Sequence, residues 1–414
     1  MKNLLFISSY PFPLYKGSNQ HAHFFVKALS SMFNVYCIFF VQPENRKNFQ
    51  DVVNKNEVGI KEYAVCYFKP APKGVLSKKY DNNKYLLKLR QIFQFPYSYM
   101  NSATHEEGKQ VIQHFVEKHS IDIVHVEHFH YTKYLFDLSP EIKKVVVYHD
   151  LYHRIHWDQF KINKSITAKF DSIISGLKKY IYERLLVLKT DMNIFLNPEE
   201  MKSFPKRSAC IPHIVNPDIR YNWSEDSDIF NILFLGGYNH PPNRVSVAHI
   251  VNSILPLLAE RLKKFRIWII GPGAEKYEEI ISASSYRDFI RLKGFVPDIN
   301  DVFQGMHIAL LPILYGGGIK TKVIEAMAAG LPVVTTPDGI YGLQNLPENC
   351  IDVCVSPDEF FTAVEMLQRT SSLRKKRSSK GVKFISQNHS VDMLNKRIKE
   401  VYTSIFQNKV ASVE

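Results

Sequence analysis

Short apolar runs alternate along this chain with stretches whose apolar positions recur every third or fourth residue. In the first half the runs NLLFIS, NVYCIFF, IDIVHV and KKVVVYH are rich in Val, Ile and Phe, as expected of strands buried on both faces. HAHFFVKALSSM and EEGKQVIQHFVEKH, lying between them, have helical spacing. After the polar stretch NPDIRYNWSEDSD the alternation resumes, with NILFLGG, RIWIIGPG, IRLKGFV, HIALLPI and LPVVTT as strands. Strand–helix alternation predicts parallel sheets with helices on both faces, so the expected class is α/β with two doubly wound, Rossmann-like domains. Ligands of such sheets sit at the carboxyl ends of the strands, and a cleft between the two domains is the expected site.

A length of 414 residues suits two cores better than one. The expected divisions are residues 1–215, residues 216–389 and a terminal segment 390–414 whose helix returns to the first domain, with a linker near 213–229. Apolar content of 45 % and charged content of 22 % are those of a soluble globular enzyme. No run approaches the ~18 to 20 apolar residues of a membrane span. MKNLLFISSYPFP lacks the apolar core and cleavage site of a signal peptide and reads as a first strand, so a cytoplasmic location is expected. Cys37, Cys66, Cys210, Cys350 and Cys354 are few and odd in number, and none completes a zinc pattern. They read as small apolar side chains.

A net charge of +13 favours phosphates, anionic lipid or nucleic acid as partners. KGVLSKKYDNNKYLLKLR, from Lys73 to Arg90, interleaves lysines with apolar residues and could lie on an anionic membrane, peripherally and at its inner face. LRKKRSSKGVK, from Leu373 to Lys383, reads as the exposed face of a late helix. No nucleic-acid motif accompanies either run, and none is expected as a partner.

The densest chemistry is LPILYGGGIKTKVIEAMAAGLPVVTT. Gly316, Gly317 and Gly318 form a loop between a strand and a helix closed by Gly330, with Lys320 and Lys322 at the helix start. Unpaired N–H groups, the helix dipole and two lysines make this a place for a phosphate or diphosphate. Gly271 to Gly273, GPG, also follow a strand but lack a full dinucleotide fingerprint.

Together with ILFLGGYNHPPN, WIIGPGA and LKGFVPDINDVF, this segment resembles the donor-binding signature of GT-B glycosyltransferases, in particular glycosyltransferase family four, the glycosyl transferases group 1. SYPFPLYKGSNQHAHFFVKAL, VVVYHD and IYERLLVLKTDMNIFLNPEE extend the resemblance, more weakly, into the first half. It implies transfer of a sugar from a nucleotide-diphosphate sugar to a glycan or lipid-linked acceptor, with retention and without metal or other cofactor, in polysaccharide or glycoconjugate biosynthesis. By the same resemblance Glu325 is the acid expected at the donor ribose, where a carboxylate offers two acceptor oxygens to a vicinal diol. Gly318 and Ile319 to Thr321 match the loop that cradles diphosphate and sugar. Gly236, Gly237, Arg244 and Gly271 fall at the donor side. His149, beside Asp150, matches a histidine facing the donor sugar, and Gly17, flanked by Tyr15, Lys16, Ser18 and Asn19, matches a glycine loop near phosphate or acceptor.

Two positions depart from the family pattern. Gly317 stands where the first acid of its Glu-x7-Glu pair would be, and Gly237 where an Arg of its diphosphate clamp would be. Lys320, Lys322 and Arg244 are the available substitutes for that positive charge, which the leaving diphosphate needs. These departures keep a non-catalytic nucleotide-binding paralogue open as an alternative, and the two-domain architecture keeps open a nucleotide-sugar epimerase, which shares it. In HVEHFH, His125, Glu127, His128 and His130 imitate a metal cluster; strand alternation would pair His128 with His130, and no metal is expected.

Overall fold

The structure is a computed structural model that describes residues 1–9, 18–41, 59–67, 102–162, 165–221 and 228–407. Gly17, with Tyr15 and Lys16, and the basic run from Lys73 to Arg90 lie outside the described residues. The chain divides into two compact units, Met1–Pro212 with Leu394–Glu414, and His213–Met393. The closing helix Val391–Phe406 thus belongs, from Leu394 onward, to the first unit.

In the first unit seven strands, β1 (Asn3–Ser8), β2 (Asn34–Val41), β3 (Ile60–Tyr67), β4 (Ile123–Val126), β5 (Lys143–Tyr148), β6 (Met192–Phe195) and β7 (Ser208–Cys210), form one sheet in the order β3-β2-β1-β4-β5-β6-β7. Every pairing is parallel. Strand order reverses between β1 and β4, so their carboxyl ends form the switch point where doubly wound sheets take ligands. Both strands are apolar along almost their whole length because helices cover both faces. The sequence runs account for four of the seven. β3 escapes them because it is an edge strand with mostly half-buried residues, and β6 and β7 because they are short.

The second unit repeats the plan with β8 (Phe230–Leu235), β9 (Phe265–Ile270), β10 (Ile290–Lys293), β11 (Ile308–Leu311), β12 (Val333–Thr335) and β13 (Asp352–Val353) in the order β10-β9-β8-β11-β12-β13. These pairings too are parallel, and the switch point lies between β8 and β11. One apolar core, including Phe234, Ile269, Leu310, Ile324 and Phe360, fills this unit.

The late basic run is not simply a solvated face. In the helix Ser371–Asn388, Arg374 is buried and donates to the carbonyls of Leu367 (2.6 Å) and Gln368 (3.3 Å). Arg377, also buried, donates to Asp352 (2.6 Å) and to the carbonyl of Asn349 (2.8 Å). Both charges are spent on closing loop and helix ends within the unit, which the sequence reading assigned to solvent.

Candidate functional site

At the second switch point three loops converge. Gly236 and Gly237 follow β8, Gly271 follows β9, and the stretch to Lys320 follows β11. Gly271 is where a side chain could not fit: a Cβ would lie 2.7 Å from the backbone carbon of Gly236 and 2.9 Å from the nitrogen of Gly237. The two loops therefore touch backbone to backbone, tied by Tyr238 N–H to the carbonyl of Pro272 at 3.0 Å.

The glycine loop is held by Lys320. Its ammonium donates to the carbonyls of Gly316 (2.9 Å), Gly317 (2.8 Å) and Gly318 (2.9 Å), folding the loop around the side chain. Gly316 and Gly318, at φ of 128° and 63°, occupy the conformations this wrap requires. Lys320 is also the cap of the helix Thr321–Ala328, its carbonyl accepting from Val323 N–H at 2.8 Å. Ile319 and Thr321 flank it, half-buried.

Lys322, in the first turn, lies over the Phe234 ring at 5.1 Å and donates to Asn243 Oδ1. Asn243 in turn donates to the carbonyl of Gly237 at 2.8 Å, so the helix start is fastened to the loop after β8. Burial pushes the Lys322 ammonium down to about 7. Arg244, on the same helix as Asn243, donates to the carbonyl of Tyr238 at 3.1 Å. Glu325 lies one turn beyond Lys322, and its carboxylate makes no hydrogen bond to a described residue. Burial pushes it up to about 7, against the opposing pull of Lys322.

The first unit brings a second cluster to its own switch point. His125, in β4, and Glu127, just past it, share a strand face, and His149 follows β5. Glu127 is fully buried and takes both rings, His125 Nε2 at 2.8 Å and His149 Nε2 at 2.9 Å. Desolvation alone would raise its pKa, but these two hydrogen bonds win and hold it well below the usual carboxylate range. An ionised carboxylate only accepts, so both Nε2 atoms carry protons. His125 Nδ1 then accepts from the hydroxyl of Tyr402, on the closing helix, which burial keeps protonated. The same carboxylate orients the His149 ring, whose Nε2–H it accepts.

His128 stacks on His149, with centroids 5.1 Å apart, and pairs with Ser8 at 3.4 Å. The strand ends at Val126, so alternation does not carry on to His128 and His130, which lie beside and within the 3-10 turn Phe129–Asp137. Among the described residues no group of His, Cys, Asp and Glu is arranged to hold a metal. The role of Glu127 as a clamp between two histidines was not legible from the sequence, although its spacing of two from His125 was the available signal.

Burial pushes His128 down to about 3, so the fold binds its neutral form. A histidine lowered on folding contributes stability above its ordinary pKa and loses it as pH falls toward the folded value. Between about pH 7 and pH 5 this one ring should cost up to about 2 kcal/mol. His128→Phe should flatten that part of the stability curve in urea melts; an unchanged acid slope would contradict it.

Residues 229–369 match the family model described as glycosyl transferases group 1. Most of the second unit is thus similar to the group 1 glycosyl transferases. A protein of the cps region of Klebsiella pneumoniae, described as an uncharacterized 44.6 kDa protein, is 24 % identical over 271 residues, covering 61 % of this chain and 67 % of that one. The putative colanic acid biosynthesis glycosyltransferase WcaL of Salmonella typhimurium is 32 % identical over 80 residues, 18 % of this chain and 20 % of its own length. Among solved structures, the sucrose-phosphate synthase of Thermosynechococcus elongatus superposes with a TM-score of 0.72 at 14 % identity, over 99 % of this chain and 100 % of that one. The likeness over both sheets gives the fold as GT-B. Within the second unit the glycine loop, Lys320, Lys322 and Glu325 lie together at the switch point, with Gly236, Gly237 and Gly271 on the facing loops and Arg244 on the helix after β8.

Proposed function

We propose that this glycosyltransferase moves a sugar from a nucleotide-diphosphate donor to a glycan or lipid-linked acceptor, with retention, in surface-polysaccharide synthesis. The observation that carries the reading is Glu325: a half-buried carboxylate with no hydrogen bond to a described residue, one turn into the helix that the glycine loop opens. Its oxygens suit the donor ribose diol. Lys322 supplies positive charge at the diphosphate, and Lys320 acts through the loop, shaping the N–H groups that meet it. In this reading His149, held at Nε2 by Glu127, meets a hydroxyl of the transferred sugar. The leaving diphosphate oxygen takes the acceptor proton on the face it departs from, so catalysis rests on charge placed where the diphosphate develops. The cps-region and colanic-acid relatives support the polysaccharide context.

A thermal-shift screen against UDP, GDP, ADP and their common sugar conjugates tests the donor half, because a ligand of the native state raises its melting temperature. One nucleotide should stabilise and the others should not. Product analysis with the stabilising donor then separates transfer from the alternatives. Isomerised donor without acceptor would mean an epimerase, and tight binding without turnover would mean that Gly317 and Gly237 mark a non-catalytic paralogue.

A further inference from the structure

We propose that the helix Ile166–Lys189 lays its outer face on an anionic membrane surface. The helix is inverted in character over its first half. Toward the protein it buries Ser172, Gly176 and Lys179, whereas Phe170, Ile173 and Leu177 are exposed. Ile166, Phe170, Ile173, Leu177 and Ile181 follow one another at steps of four, three, four and four, and Leu185 and Leu188 carry the row to the end of the helix. Ile166 is 85 % and Leu188 72 % exposed, so both ends of the row are open, and an apolar row of this length is more than the scattered exposure of ordinary surfaces.

The spacing bears on the occupant. From Ile166 to Leu188 the row advances 22 residues in six steps, about 3.7 residues per turn and unlike the 3.5 of a left-handed coiled coil. The row therefore lacks the period of a left-handed coiled-coil seam with a partner helix. Charge argues the same way. On helical positions, Lys169 lies along one edge of the row, Lys178 and Lys189 along the other, and Arg184 within it, with Asp171 the exposed acid. Long basic side chains flanking an apolar face place their charge at headgroup level while the row enters the acyl boundary. A second copy would set basic flank against basic flank. Beside Gly176, on the neighbouring helix Tyr152–Ile162, stands half-exposed Trp157, a residue type suited to the membrane–water boundary. Among the described residues no helix is long and apolar enough to cross a membrane, so this is attachment along a surface.

The proposal does not depend on the donor site, because vesicle binding is read without substrate. Full-length protein is sedimented with vesicles of phosphatidylcholine alone and with phosphatidylglycerol added, at low and high salt. The parent should bind the anionic vesicles, less so in high salt, and Leu177→Asp with Ile181→Asp should lower the partition at least about tenfold while melting as the parent does. Trp157 emission should shift to the blue on binding. The same partition for parent and variant, or indifference to lipid charge, would overturn the proposal. So would a loss seen only when Lys78, Lys79, Lys84 and Lys88 are neutralised. Light scattering showing a parent dimer that the variant converts to monomer would assign the row to a second copy instead.

Discussion

Replacing Glu127 by Ala should destabilise the first unit by about 3 to 5 kcal/mol, the range for breaking a buried charge-assisted network by removing one partner. The carboxylate is fully buried and accepts from two histidines at 2.8 Å and 2.9 Å, so its loss strands two ring N–H groups at once. His125 cannot turn toward other partners, being stacked on Phe6 at 4.4 Å and bonded on its other nitrogen to Tyr402. Urea unfolding followed by fluorescence should show a midpoint falling at unchanged slope. Glu127→Gln, which keeps one acceptor oxygen, should lose less. A loss below about 1 kcal/mol for the Ala variant would mean that the cluster relaxes and that Glu127 does not hold the His149 ring.

That network also shows where sequence reading reaches its limit. Buried parallel strands announce themselves as apolar runs, so β1, β2, β4 and β5 and the strands flanking the glycine loop were legible. β13, two residues long, could not announce itself, because its membership rests on pairing with β12. The glycine loop pointed to phosphate chemistry, and the structure puts it at the switch point of the second sheet. What the pattern could not disclose is which atoms a side chain meets. Lys320 looked like a free cation from its spacing, yet its ammonium reaches back to three carbonyls of its own loop. Arg374 and Arg377 sat in a run of charge that hides burial, since nothing local distinguishes them from the exposed lysines beside them. Tyr402 meets His125 across 277 positions of chain, a contact that only the return of the closing helix creates.

The second large effect is expected at Glu325. Replacing it by Ala should weaken binding of the stabilising nucleotide by about 1.5 to 3 kcal/mol, roughly tenfold to more than a hundredfold, the worth of hydrogen bonds to a charged group. The same change should leave the ligand-free protein as stable as the parent or more so. The sign follows from the carboxyl's shift, up to about 7 by burial. A carboxyl raised on folding contributes stability below its ordinary pKa and loses it as pH rises toward 7, so the ionised parent carries a cost the variant lacks. Lys322, attracted to Glu325, offsets part of that cost and is left without the opposite charge in the variant. Glu325→Gln, isosteric and uncharged, separates the two effects: it should retain fold and nucleoside shape while losing the charge-assisted part of the affinity. Isothermal titration at pH 8, paired with thermal melts without ligand, gives both readings. A variant that melts well below the parent makes Glu325 a structural acid, and one that binds nucleotide as tightly as the parent removes it from the ribose.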